Sequence, residues 1–209
     1  QNGLVFSVSA LFMIVGFAVT PFLLVRFSVR RIAFLLAAAD LATLVLLITN
    51  PPAAVAISLI ALQSALAPLI AYTLDLLLEN ATMNEDETGA MRGLFLTAGN
   101  VALVGAPLVT GVILAQSEHY ERLFLASAIA LALFMGLLVT RKRHLADLRL
   151  AKAASLAETL RCILADRETR SVIIANTMLQ CFFIWEPVYI PLYLHLSLGM
   201  SWEVLGPLF

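Results

Sequence analysis

The sequence predicts an all-α fold, that of a polytopic helical membrane protein, from its composition, its long apolar runs and its one-sided basic residues. Of the 209 residues, 61% are apolar and 13% are charged. A soluble domain typically has about 45–50% apolar and about 25% charged residues. A soluble chain of this size could not bury so much apolar surface, because its exterior needs charged groups. Lipid is therefore the expected solvent for most of the chain.

Six apolar runs are long enough to span a bilayer, since about 20 helical residues cross about 30 Å of hydrocarbon. They cover residues 3–25, 32–49, 53–74, 93–115, 123–140 and 171–194. The runs are continuous, which favours helices over barrel strands, whose residues alternate over about 10 positions. The second run contains one charge, Asp40, and the sixth contains one, Glu186. A seventh run begins near Trp202, and we expect the remainder of the same chain to lie beyond Gln1 and Phe209.

Turn and cap residues separate the runs. The Asn-Pro-Pro sequence at 50–52 ends the second run and begins the third, since proline suits a first helical turn but not a helix interior. Thr-Gly at 88–89 and Gln-Ser at 116–117 separate the next runs in the same way. These boundaries predict separate helices.

Basic residues fall almost entirely on one side of the predicted membrane. Only Arg122 of the 13 Lys and Arg residues lies on the other side. The remaining basic residues are Arg26, Arg30, Arg31, Arg92, Arg141, Lys142, Arg143, Arg149, Lys152, Arg161, Arg167 and Arg170. Because Lys and Arg near spanning helices stay in the cytoplasm, we predict that these connections are cytoplasmic. The chain is then a multi-pass protein of the plasma or inner membrane.

The polar segment 141–170 has leucines and an isoleucine at roughly helical spacing, with charged residues between them. This pattern predicts a cytoplasmic amphipathic helix that lies on the membrane or on the helix ends. A solvated linker with helical propensity is the alternative.

The composition also argues against several function classes. A formal net charge of −1 provides no basic surface for nucleic acid, so we expect no nucleic-acid partner. Cys162 and Cys181 indicate neither a disulfide framework nor a metal site. The sequence contains no His-Glu-x-x-His, Gly-x-Ser-x-Gly or phosphate-binding loop motif. We therefore expect no enzymatic activity, no bound metal and no cofactor.

A basic turn at 21–31 resembles the signature loop between the second and third helices of the major facilitator superfamily of transporters. That signature is Gly-x-x-x-Asp-Arg-x-Gly-Arg-Arg, and its basic positions are kept here as Arg26, Arg30 and Arg31. Val25 stands at the Asp position, so the acidic partner of that loop is absent.

Three further strings resemble the same family in the same order. Asp75 to Glu79, followed by Arg92-Gly93, is similar to the acidic end of the fourth helix and the opening of the fifth. Residues 105–111 resemble a loosened Gly-Pro-x-x-Gly-Gly antiporter motif, and 189–201 resemble the outer end of the seventh helix.

The resemblance implies a partial twelve-helix transporter bundle. In this interpretation, 1–140 form five helices of the N-terminal half and 141–170 form the interdomain linker. Residues 171–209 form the first helix of the C-terminal half and the start of the next.

Polar residues inside the runs are the candidates for a substrate or proton site. An ionisable group at membrane depth costs free energy, so its presence there indicates a function. The candidates are Glu186, Gln63, Asn100, Gln180, Asn176, Tyr189, Trp185 and Asp40. Pro187 follows Glu186 and predicts a local break that leaves a backbone acceptor beside the carboxylate. The family's fourth and seventh helices line its cavity, whereas its third is peripheral. Interhelical hydrogen bonding is the alternative for each candidate.

A cytoplasmic gate is the second candidate site. Asp75 and Glu79 are four residues apart and share one side of a helix. The family's packing implies four arginines opposite them: Arg26, Arg30, Arg31 and Arg92. We expect an ion-pair latch that joins the helix ends when the cytoplasmic side is closed. Solvated, orientation-setting charges are the alternative.

These features together favour a secondary active transporter that moves a small solute by alternating access. Coupling to protons is a hypothesis that rests on Glu186 and Asp40. The expected partners are membrane lipid, the solute and protons. A non-transporting membrane scaffold or receptor is the main alternative, and an intramembrane enzyme is the weaker one.

Overall fold

The computed structural model describes residues 2–81, 85–114, 120–140 and 156–200, and every element in these ranges is an α-helix. The helices are α1 (Asn2–Arg26), α2 (Val29–Ile48), α3 (Ala53–Ala81), α4 (Glu85–Leu114), α5 (Tyr120–Thr140), α6 (Leu156–Ala165) and α7 (Arg167–Leu198). The all-α prediction is confirmed for these ranges. The start of the predicted seventh run lies outside the described residues.

Among the described residues, five helical segments are long and apolar enough to cross a membrane. They are Ser7–Arg26, Val29–Ile48, Ala53–Glu79, Gly89–Ile113 and Tyr120–Thr140. These segments correspond to the first five predicted runs. The predicted sixth run lies within α7, which is not one of the five.

Helices α3 and α4 extend well beyond their apolar runs. With 29 residues, α3 is about 43 Å long at about 1.5 Å per residue, which exceeds the roughly 30 Å of a hydrocarbon layer. The run predicted for α3 stops at 74 because Asp75 follows, and the run predicted for α4 starts only at 93. A helix can continue beyond the apolar layer, where water solvates its charged side chains.

The predicted break at Pro187 is wrong, because α7 continues as one helix through this residue. Pro21 in α1 and Pro68 in α3 also lie inside continuous helices. A proline removes one backbone hydrogen bond, and the turns on either side keep theirs. The helical path therefore survives even though one carbonyl loses its donor.

The chain divides into two compact units. One comprises Gln1–Thr97 and Glu118–Ala153, and the other comprises Ala98–Ser117 and Ala154–Phe209. In the first unit, α3 packs against α1 and α2, and α2 also packs against α5. In the second unit, α6 packs against α7. The predicted division into 1–140, 141–170 and 171–209 stays a prediction.

A buried apolar cluster joins four helix ends in the first unit. Its members are Leu24, Val29, Ile32, Ala33, Leu77 and Leu138. Helices α1, α3 and α5 end near this cluster and α2 begins there. The cluster therefore lies at the end of the bundle that carries the connections predicted to be cytoplasmic.

Helices α1 and α3 run side by side in the same direction. Gly16 faces Leu69 so closely that a Cβ atom on Gly16 would lie 2.5 Å from its Cδ1. One residue later, the rings of Phe17 and Tyr72 meet edge to face, with centroids 5.7 Å apart. The absence of a side chain at Gly16 thus leaves room for the Leu69 side chain between the two helices.

In the second unit, Asp166 begins α7 as its N-cap. Its carboxylate accepts hydrogen bonds from the backbone N–H groups of Glu168 and Thr169, at 3.4 Å and 3.0 Å, and from the Thr169 hydroxyl. Helix α6 lies in the segment predicted to be amphipathic, and its Leu160 and Leu164 are exposed. Residues 141–155 of that segment lie outside the described residues.

Replacing Gly16 by Val should force the Leu69 side chain out of its present position between α1 and α3. We expect the free energy of unfolding to fall by about 1–3 kcal/mol, because the added atoms overpack the contact with Leu69. The matched control is Gly136→Val in α5, where an added Cβ meets nothing within 4 Å. Thermal unfolding in detergent micelles checks this, and equal effects of the two substitutions would contradict the proposed contact.

The Asp166 cap predicts a pH dependence. Hydrogen bonds from the Thr169 hydroxyl, the Thr169 N–H and the Glu168 N–H lower the pKa of this carboxyl below its ordinary value of 3.8. Because the pKa of Asp166 is lower in the folded state, its ionised carboxylate stabilises the folded protein at any pH above the pKa of the unfolded state. This stabilisation is lost as the pH falls through the pKa of the folded state. The stability advantage over Asp166→Asn should therefore shrink only below pH 3.8. An advantage that does not change with pH in thermal unfolding would refute the assignment.

Candidate functional site

A three-residue ion cluster joins α3 to the first part of α4. The Arg92 Nη2 atom lies 3.5 Å from Asp75 Oδ2 and 3.5 Å from Glu79 Oε2. The two carboxylates are one helical turn apart on the same side of α3, so a single guanidinium nitrogen reaches both. The structure thus brings together Arg92 and the two acidic residues that the sequence singled out for a gate.

The cluster is largely open to solvent. The side chains of Arg92, Asp75 and Glu79 are 45%, 42% and 58% exposed. Water competes for exposed pairs of this kind, so each contributes at most about 1 kcal/mol. The contact can therefore form and break at little cost in free energy.

The other predicted gate arginines lie at the connection between α1 and α2. Arg26 ends α1, and Arg30 and Arg31 lie in the first turn of α2. Within the part of the chain that the structure describes, Arg26 and Arg31 form no ion pair with Asp75 or Glu79. Their role in a gate stays a prediction.

A pocket of about 410 Å³ lies beside the ion cluster, between α1, α3 and α4. Its lining residues are Phe17, Pro68, Ala71, Tyr72, Asp75, Arg92, Phe95 and Leu96. Apart from Asp75 and Arg92, which bear the charges, the lining is mostly apolar. We refer to this feature as the aromatic pocket, because three of its walls are the rings of Phe17, Tyr72 and Phe95.

The residue pattern on α3 and α4 contains a signal for this pocket that the sequence reasoning missed. Tyr72 lies three residues before Asp75, and Phe95 lies three residues after Arg92. Residues three apart share a helix face, so each aromatic ring accompanies a member of the ion cluster. Phe17 on α1 gave no such signal, since its position depends on how α1 packs against α3.

Two predicted candidates of the first unit lie on different helices. Asp40 is buried on α2, and the Thr43 hydroxyl lies 3.4 Å from its Oδ1 while donating to its backbone carbonyl at 2.7 Å. Gln63 is half-buried on α3. The sequence did not point to Thr43, although a side chain three residues away on a helix lies on the same face as the carboxylate.

The remaining predicted candidates belong to the second unit. Asn100, Asn176, Gln180 and Tyr189 are exposed. The side chains of Trp185 and Glu186 lie outside the described residues. No group of three His, Cys, Asp or Glu residues able to hold a metal occurs in the portion of the chain that the structure describes. The substrate roles of these residues stay predictions.

Comparison with known proteins gives no relative: no family model, curated protein or solved structure matches the chain.

The ion cluster predicts a small but measurable coupling between Asp75 and Arg92. In a double-mutant cycle with Asp75→Asn and Arg92→Gln, we expect a coupling free energy of about 0.2–1 kcal/mol, because both side chains are partly solvated. Thermal unfolding in micelles at low salt provides the measurement. A parallel cycle of Asp75→Asn with Arg31→Gln should give no coupling. Equal coupling free energies in both cycles would show that Asp75 interacts with Arg92 no more specifically than with another nearby positive charge.

Proposed function

We propose that this protein is a secondary active transporter of the major facilitator type, which moves a small solute across a plasma or inner membrane by alternating access. The observation that carries the proposal is the contact of Arg92 with both Asp75 and Glu79. It supports a reversible connection between helix ends on the side predicted to be cytoplasmic. Five helices able to span a membrane and the order of four family-like strings support the same function.

The proposed gate works through the weakness of its contacts. In the closed state, Arg92 holds the start of α4 against the end of α3. In the open state, water solvates all three charges, so the two states differ by little free energy. A solute that binds one state better can then shift the equilibrium by its difference in affinity.

Proton coupling forms part of the proposal and rests on Asp40 and Glu186. Asp40 is 7% exposed inside a segment able to span the membrane. A carboxylate at such a depth is costly when charged, which favours reversible protonation. The proposed mechanism requires no cofactor, and its partners are lipid, the solute and protons.

Flux through proteoliposomes tests the transport function. We expect uptake of at least one radiolabelled solute from a panel of sugars, amino acids and organic ions, with a pH gradient as the driving force. Asp75→Arg should lower the initial rate by about fivefold, since it removes up to about 1 kcal/mol from the closed state and adds repulsion. The reciprocal swap, Asp75→Arg with Arg92→Asp, should recover part of the rate.

Glu168→Lys, which alters an exposed carboxylate of α7, is the control and should leave the rate unchanged. If the unmodified protein moves no solute of the panel, the transport proposal falls and a scaffold or receptor becomes the better interpretation. If transport occurs but Asp75→Arg has no effect, the gate is refuted while transport stands.

A further inference from the structure

We propose that the aromatic pocket binds a monovalent organic cation with an apolar body, which pairs with Asp75 in competition with Arg92. As a substrate site, this assignment rests on the proposed transport function, whereas binding itself can be measured without transport. The pocket lies wholly within the first unit, and its residues come from α1, α3 and α4.

The size and walls of the pocket fit a small aromatic or alkylated ion. Ligand sites typically measure about 300–1,000 Å³, and this one measures about 410 Å³. The Phe17 and Tyr72 rings meet at 73°, so they form two nearly perpendicular walls. Phe95 contributes the third ring, from α4. Pro68, Ala71 and Leu96 complete the lining without adding a charge.

The electrostatics of the lining favour a cation. The faces of aromatic rings carry negative potential, which attracts an organic cation within about 6 Å. Among its described contacts, Asp75 uses Oδ2 for Arg92 and has no hydrogen bond to Oδ1. The Asp75 side chain is 42% exposed and lines the pocket, so a positive ligand there can pair with it. An uncharged polyol would instead need several hydrogen-bonding groups, which the mostly apolar lining does not supply.

Arg92 lines the same pocket, but it should attract an anion only weakly. Its Nη2 atom already meets two carboxylates, Asp75 and Glu79. A cation beside Asp75 would repel the guanidinium and compete for the same carboxylate. Binding should therefore weaken the contact between α3 and α4, which links occupancy of the pocket to release of the gate.

Equilibrium dialysis of the purified protein in neutral detergent micelles, with radiolabelled tetraphenylphosphonium as the probe, tests the proposal. We expect saturable binding of this cation and no displacement by triphenylphosphine oxide, which has a similar aromatic body and no net charge. Micelles without protein correct for partition of the probe. Absence of saturable binding, or displacement by the phosphine oxide as strong as that by unlabelled tetraphenylphosphonium, would overturn the proposal.

Opposite effects of two charge-removing variants give the sharpest result. Asp75→Asn should weaken binding by about fivefold because it removes the ligand's counter-charge. Arg92→Gln should instead strengthen binding several-fold, since the competing cation is gone. If the ion pair served only to hold the helices in place, both substitutions would weaken binding. That result would also refute the proposal.

The ring contribution is tested by Phe95→Leu, at a side chain 37% exposed, where the substitution does not disturb a buried core. Loss of this ring should weaken binding by about 2- to 5-fold. Phe12→Leu, at an exposed position outside the pocket, is the matched control and should have no effect. Equal affinities of the two variants would remove the ring from the site.

The failure of binding and the failure of transport have different signatures. Saturable tetraphenylphosphonium binding with the expected variant pattern, but without flux of any solute, would uphold the cation site and refute the transporter. Flux of a solute without tetraphenylphosphonium binding would do the reverse.

Discussion

The absence of water inside a bilayer is the constraint on which the rest of this structure depends. A backbone that crosses hydrocarbon must satisfy its own N–H and C=O groups, so each crossing segment becomes a helix. Apart from Asp40, the charged side chains of the five segments able to span a membrane lie near their ends, where α3 and α4 extend beyond their apolar runs. The ion cluster of Arg92, Asp75 and Glu79 is thus a consequence of where charge can be solvated at low cost.

The first unit combines one strong and one weak means of holding helices together. Leu24, Val29 and Leu77 belong to a buried apolar cluster that joins α1, α2, α3 and α5. By contrast, residues 91–97 of α4 are all exposed, and Arg92 meets α3 through solvated charges. Apolar burial is lost only when packing is lost, whereas an exposed ion pair exchanges readily with water. Apolar burial therefore holds α1, α2, α3 and α5 together, whereas the ion pairs that join the start of α4 to α3 cost little free energy to break.

Most of the helical architecture could be predicted from the sequence, because apolar length and turn residues are local properties. The true ends of α3 and α4 could not, since an apolar run stops at the first charge while the helix continues. The prediction of a break at Pro187 was wrong, because the neighbouring turns keep their hydrogen bonds and maintain the helix. The ion cluster was partly foreseeable from the spacing of Asp75 and Glu79. The aromatic pocket was not, because it requires the packing of α1 on α3 that Gly16 permits.

A ligand of single positive charge is the natural counterpart of such a gate. It can replace the guanidinium of Arg92 at Asp75 without leaving that carboxylate unpaired, which a neutral solute cannot do. Arg92 already lies 3.5 Å from Glu79, so it keeps one carboxylate when a cation takes Asp75. Displacement would then reduce the contact between α3 and α4 from two ion pairs to one. Under the proposed transport function, these two arrangements would be the two states between which the solute shifts the equilibrium.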